Sequence, residues 1–308
     1  MSNTRGGDFL EYVLRTSKLT KCYGDKKAVD TVSMQIKKGD IYGFIGKNGA
    51  GKTTLMRLVL GTAVPNSGKI ELFGSMDIAN QRHRIGSLLE YPCLYKNCSA
   101  AENLKRFAML TKSKPADIKL ILKLVGLSDT GKKPAGEFSL GMKQRLGIGI
   151  ALLGNPEFLI LDEPINGLDP AGIKEIRDII LALNSQLGVT FLISSHLLDE
   201  LAKIVTTYGI INDGKLIEQI SAAELNDRCR HQMRIAVDDT EKAVNILSAM
   251  TDPNTISTDG STVYLYSLID RSAEVCGSLV RGGVNVGELV IQSDRLEEYF
   301  IERLGELR

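Results

Sequence analysis

The sequence predicts an α/β protein with a mostly parallel sheet, followed by a smaller α+β domain. Three observations point there. Short apolar runs of strand length alternate with amphipathic helical segments over residues 1–225. A glycine-rich turn joins the first buried run to a helix. The composition then changes near residue 225, and the remaining elements follow the order βαββαβ.

Taken in order, Val32, Met34 and Ile36 alternate with polar neighbours, the period of a half-buried strand. Lys38-Gly39-Asp40 turns the chain into Ile41-Tyr42-Gly43-Phe44-Ile45, a continuous apolar run that suits a strand covered on both faces. A glycine loop follows, then a helix over 54–60 stopped by Gly61. From about residue 101 to 153 the pattern turns helical, with apolar residues at helix spacing over 118–124. Residues 158–161 and 190–194 read as two more buried strands. Between them an amphipathic helix over 171–183 places Ile173, Ile176, Ile179, Ile180 and Leu183 on one face.

The tail reads as strands at 233–237, 255–258, 262–267 and 284–291, with helices over 240–250 and 271–281 and an Asp259-Gly260 turn. That order is a ferredoxin-like split motif. A terminal helix is expected from residue 293. The expected division is thus 1–225 and 226–308, with a helical subdomain at about 95–153.

The 308 residues, 43% hydrophobic and 24% charged, are those of an ordinary globular protein. With 38 basic and 37 acidic residues the formal net charge is +1, which offers no electrostatic reason to expect nucleic acid as a partner. Five cysteines without a C-x-x-C pair indicate neither a zinc site nor a disulfide framework. Together with the lack of a signal peptide they predict a cytoplasmic protein. No run approaches the ~18–20 apolar residues of a membrane-spanning helix, so any membrane role must come through a separate partner.

The chemistry is concentrated in two segments. Gly46-Lys47-Asn48-Gly49-Ala50-Gly51-Lys52-Thr53 fits G-x-x-x-x-G-K-[ST]. Its glycines let successive backbone N–H groups converge on phosphate oxygens, and the following helix points its positive end at them. Lys52 can reach the β- and γ-phosphates, the Thr53 hydroxyl can ligate Mg²⁺, and Thr54 falls near the α-phosphate. A chance match would lack this context of strand before and helix after, so a phosphate site is the better reading. The second segment, residues 158–164, ends a buried strand with Asp162 and Glu163. The first suits an indirect role around Mg²⁺ and the second can polarise an attacking water. Alone, the two acids could be a solvated strand end; beside a phosphate loop they are read as catalytic.

With those residues placed, the chain resembles the ATP-binding subunits of ATP-binding cassette (ABC) transporters over about residues 12–225. Phe138-Ser139-Leu140-Gly141-Met142-Lys143-Gln144-Arg145 resembles the family signature LSGGQ-x-QR, with Leu140 and Met142 as departures. The resemblance implies a P-loop NTPase of ABC-cassette type, with a mixed β core and a helical subdomain. It also implies that Ser139 and the Gly141 backbone face the γ-phosphate bound by a second copy. Asn166-Gly167-Leu168-Asp169 resembles the loop that passes between protomers, and His196 the histidine that senses the γ-phosphate. Tyr23 stands where the family stacks an aromatic ring on adenine.

Glu90, in Leu88-Leu89-Glu90-Tyr91-Pro92, replaces the usual glutamine; it either offers oxygen to Mg²⁺ or is an ordinary exposed acid. Glutamate there, with Phe-Ser-Leu-Gly-Met, resembles the bacitracin-export and lantibiotic-immunity branch. The expected function is therefore a MgATP-hydrolysing subunit, peripheral on the inner face of the membrane. It would work as a homodimer with a polytopic transmembrane permease. A soluble ABC ATPase acting on ribosomes or DNA, or a non-hydrolysing scaffold, is the alternative.

Overall fold

A computed structural model describes residues 12–111, 117–228, 231–293, 299, 300, 303 and 305. The chain divides into two compact units, Met1–Ala222 and Ala223–Arg308.

The first unit opens with strands β1 (Tyr12–Tyr23), β2 (Lys26–Val32), β3 (Gln35–Lys37) and β4 (Ile41–Ile45), then helix α1 (Lys52–Leu60) and β5 (Ser67–Leu72). Helix α2 (Ile78–Gln81) leads to β6 (Ile85–Leu88), and α3 (Ala100–Thr111), α4 (Asp117–Leu124) and α5 (Leu140–Ala151) form the helical region. After it come β7 (Phe158–Asp162), α6 (Pro170–Leu187), β8 (Thr190–Ser195) and α7 (Leu198–Ala202). Strands β9 (Thr207–Asn212) and β10 (Lys215–Ser221) and helix α8 (Ala222–Arg228) complete the sequence of elements at the boundary.

Two sheets result. The six-stranded sheet has the order β10-β9-β4-β8-β7-β6 and is parallel apart from β10. Every residue of β4, β7 and β8 is buried, as expected for strands covered on both faces. Tyr42 is fully buried and donates its hydroxyl hydrogen bond to Gln219 Oε1 at 3.2 Å, which gives the buried polar tip a partner. The other sheet is antiparallel, with β2, β3 and β5 all paired to the long β1.

The expected single strand through Val32, Met34 and Ile36 is corrected here. Its alternation of buried and exposed residues holds, but the strand is interrupted, with Val32 ending β2 and Ile36 lying in β3. The Thr16 hydroxyl takes over the broken ladder: it donates to Val32 O at 3.1 Å and accepts from Met34 N at 3.0 Å. A side chain bonding to backbone in this way competes with regular pairing and leaves a bulge. Periodicity reports which face a residue occupies and is blind to such an interruption.

Helix α6 extends beyond the expected 171–183 at both ends. The Asp169 carboxylate caps it by accepting from Gly172 N at 3.2 Å, and Gly188 ends it at φ 66°. The second unit holds β11 (His231–Val237), α9 (Thr240–Ser248), β12 (Ile256–Asp259), β13 (Thr262–Leu265), α10 (Ser272–Arg281) and β14 (Val286–Ser293). The element order is βαββαβ, and the strands stand in the order β12-β13-β11-β14 with antiparallel pairs throughout. Met233, Ile235, Val263 and Leu265 pack with Ala243, Leu247, Val275 and Leu279 of the two helices. The terminal helix expected from residue 293 lies mostly outside the described residues.

Candidate functional site: a phosphate-loop cleft

Open α/β sheets place ligands at the carboxyl ends of their strands. Here β4, β7 and β8 end side by side, with Phe44 opposite Ser194 and Asp162 opposite Ser194 in register. Three short segments therefore converge: the glycine loop after β4, Asp162-Glu163 at the end of β7, and Ser194–His196 at the end of β8. A cleft of about 330 Å³ opens over the loop, lined by Asn48, Gly49, Gly51, Lys52, Thr53, Thr54, Asp162 and Glu163. Tyr23, half exposed, lines the same cleft together with Lys26 and Ala28.

The loop is held by close backbone contacts that a side chain would break. A Cβ at Gly46 would lie 2.3 Å from Ile211 O, and one at Gly51 would lie 2.2 Å from Ala28 O with φ at 108°. Ala50 is buried and its backbone O accepts from Gly214 N at 3.0 Å. Gly46→Ala is accordingly expected to destabilise the fold by about 1–3 kcal/mol or more, the usual cost of overpacking, as measured by chemical denaturation.

Lys52 is the first residue of α1 and only 6% exposed. Its ammonium donates to Gly46 O at 2.6 Å and Lys47 O at 3.3 Å, and stands 3.6 Å from Glu163 Oε1. A buried ammonium must find acceptors, and these carbonyls supply them. Thr53 Oγ1 donates to Asp162 Oδ2 at 2.6 Å, and Ser194 Oγ donates a short hydrogen bond to Asp162 Oδ1. Both carboxylate oxygens of Asp162 are thereby fixed.

Glu163 carries φ +50°, a conformation that costs a non-glycine residue on the order of 1–3 kcal/mol and persists only when neighbours impose it. Ser194 does so: the Glu163 N–H donates to its hydroxyl at 2.9 Å and to its carbonyl at 3.2 Å. The resulting twist turns the Glu163 carboxylate toward both Lys52 and His196, whose Nδ1 lies 2.8 Å from Oε2. The other oxygen, Oε1, is buried without a hydrogen-bond partner. A buried carboxylate oxygen that meets the Lys52 ammonium at 3.6 Å but accepts no hydrogen bond fits a group that serves an incoming ligand.

The remaining expected residues lie apart from the cleft lining. Ser139 caps α5, its hydroxyl accepting from Met142 N at 3.2 Å. Gly141 stands beside Leu168 and Gly172, so this segment and the loop ending at Asp169 are neighbours. Glu90 is exposed and paired with Arg57. Sequence reasoning passed over two residues that the structure brings into play, Ser194 and Arg57. A hydroxyl at a strand end is a signal for the first only once the register beside Asp162 is known.

The oxygen donors suit a hard divalent cation. Thr53 and Asp162 offer a hydroxyl and a carboxylate at the rim of the cleft, and among the described residues no thiol or imidazole lines it. Among the described residues no group of three or more His, Cys, Asp or Glu gathers into a cage.

A glycine loop at a strand end, a buried lysine, and an acid pair ending a second parallel strand, one strand removed in the sheet, define a nucleoside-triphosphate-hydrolysing P-loop protein. The comparisons with known proteins narrow this. The ABC transporter family model matches residues 29–166. The bacitracin transport ATP-binding protein of Bacillus licheniformis is 43% identical over 299 residues, spanning 95% of this chain and 97% of that protein. A lantibiotic transport ATP-binding protein of Streptococcus pyogenes is 44% identical over 205 residues, 67% of this chain and 89% of that one. Among solved structures, cbiO1 of Clostridium perfringens, part of the ABC transporter complex cbiONQ, superposes with a TM-score of 0.63 at 29% identity. The superposition covers 70% of this chain and 91% of that one. The chain belongs to the ATP-binding subunits of ABC transporters: it binds ATP and hydrolyses it.

Proposed function

We propose that this subunit powers export of a membrane-active peptide antibiotic or a similar amphiphile. The observation that carries the reading is the near-full-length match to a bacitracin transport ATP-binding protein, which extends through the second unit. In keeping with a separate permease, no helix among the described residues is long and apolar enough to cross a membrane. The subunit then acts from the inner face of the membrane through a polytopic partner.

In this reading the loop amides and Lys52 hold the β- and γ-phosphates, Tyr23 stacks on the adenine, and Thr54 lies near the α-phosphate. Thr53 would hold Mg²⁺ directly and Asp162, bonded to the Thr53 hydroxyl, indirectly, with Glu90 as a further oxygen donor. The bound ion supplies charge neutralisation for the phosphates. Glu163 takes a proton from the attacking water through its carboxylate, and His196, already against that carboxylate, orients it. Ser139, Gly141 and Asp169, none of which lines the cleft of its own chain, serve the cleft of a second copy, arranged head to tail. Closure then depends on the γ-phosphate, the one group that both copies grip.

The test is bacterial sensitivity to cationic peptide antibiotics with and without this chain, together with recovery of its membrane partner. Deletion is expected to raise sensitivity several-fold, and the chain is expected to co-purify with a polytopic membrane protein. Unchanged sensitivity would remove the cargo assignment; recovery on ribosomes would remove the transport role.

A further inference from the structure

Glu90 is engaged in this structure. Its Oε1 accepts a hydrogen bond from Arg57 Nη2 at 2.6 Å. Arg57 follows Thr53 by four residues on α1, so the two side chains leave the same side of the helix, about 6 Å apart along its axis. The guanidinium thus stands one turn away from the hydroxyl that reaches Asp162.

Two features make the pair suited to exchange. Arg57 is 44% and Glu90 60% exposed, and an ion pair so open to water adds little to stability and separates readily. Glu90 also holds φ +59°, a region non-glycine residues rarely occupy, at the head of a turn that carries the 77% exposed Tyr91. The turn leaves β6 directly, and β6 lies in register with β7, Leu88 opposite Leu161, one residue before Asp162.

We propose that Arg57 is a positioning residue for Glu90: the ion pair holds the carboxylate away from Thr53 and Asp162 until a nucleotide-bound cation competes for it. This rests on the reading of Glu90 as an oxygen donor to Mg²⁺. It gives the glutamate a role that a neutral glutamine would not fill. A carboxylate exchanges between two cations, whereas an amide has far weaker attraction for a guanidinium. Release of the pair also frees the turn that begins at Glu90.

Mn²⁺ serves as the probe, because its uptake by the protein saturated with a non-hydrolysable ATP analogue can be followed by electron paramagnetic resonance without turnover. The full-length chain is compared with Arg57→Gln, Arg57→Lys, Glu90→Gln and the double variant. Glu90→Gln is expected to weaken Mn²⁺ uptake. Arg57→Gln is expected to tighten it roughly two- to fivefold, the range that corresponds to a surface ion pair. Arg57→Lys should remain near wild type, and Arg57→Gln should have no effect once Glu90 is glutamine. Melting temperatures close to wild type would show that each variant folds.

Loss of positive charge alone would tighten binding by the same factor in both backgrounds, and that outcome overturns the latch. So does an Arg57→Gln variant that binds no tighter than wild type while Glu90→Gln binds more weakly. If Glu90→Gln takes up Mn²⁺ as the wild type does, the metal role of Glu90 is the part that fails, and the latch goes with it.

Discussion

Glu163→Gln is expected to lower ATP turnover by about 10²–10⁴-fold, the usual contribution of a positioned general base. Nucleotide binding should persist, and two copies should remain joined with ATP between them. The geometry gives the reason. Glu163 is the acid whose backbone is twisted to φ +50° and whose Oε1 is buried with no hydrogen-bond partner. Its other oxygen already meets His196 Nδ1 at 2.8 Å. An amide in its place keeps the size and the contact to Ser194 through the backbone, but it cannot accept a proton from water at neutral pH. Single-turnover hydrolysis separates this from a binding defect. A variant that turns over at the wild-type rate would move the base elsewhere.

Lys52→Ala is the second large effect, and it falls on binding rather than on chemistry. Hydrogen bonds to a charged group contribute about 1.5–3 kcal/mol each, so loss of the ammonium should weaken ATP roughly 10- to 100-fold even if the loop amides still hold the phosphates. Calorimetric titration with MgATP and with ATP in EDTA would measure it. The lysine is buried, and its present acceptors are its own loop carbonyls, Gly46 O and Lys47 O. Its removal therefore also leaves two carbonyls without that donor. A thermal melt taken in parallel distinguishes a weakened loop from a weakened ligand contact. Wild-type affinity in this variant would undo the assignment of the phosphate site.

The two effects differ in how much of their basis could be read in advance. Lys52 and Thr53 were legible because the loop is a local device: eight consecutive residues supply the glycines, the cation and the hydroxyl, and spacing along the chain is spacing in space. Asp162 and Glu163 were legible as strand-end acids for the same reason. The buried strands β4, β7 and β8 were equally plain, since a strand covered on both faces reads as a near-continuous apolar run. The interruption between β2 and β3 was not, because Thr16 fills the gap from a distant position and leaves the alternation intact.

The amino-acid sequence by itself determined that this chain has a phosphate loop opening a helix, an acid pair ending a buried strand, and the segments that resemble an ABC cassette. Only the tertiary structure decided that β7 and β8 run in register so that Ser194 clamps Asp162 and twists Glu163, and that Arg57 holds Glu90. The physical reason is one of range. Backbone amides, caps and periodic burial act between near neighbours and leave a mark in the order of residues. Hydrogen bonds between strand ends and between a helix and a distant turn depend on register and packing, which no run of adjacent residues encodes.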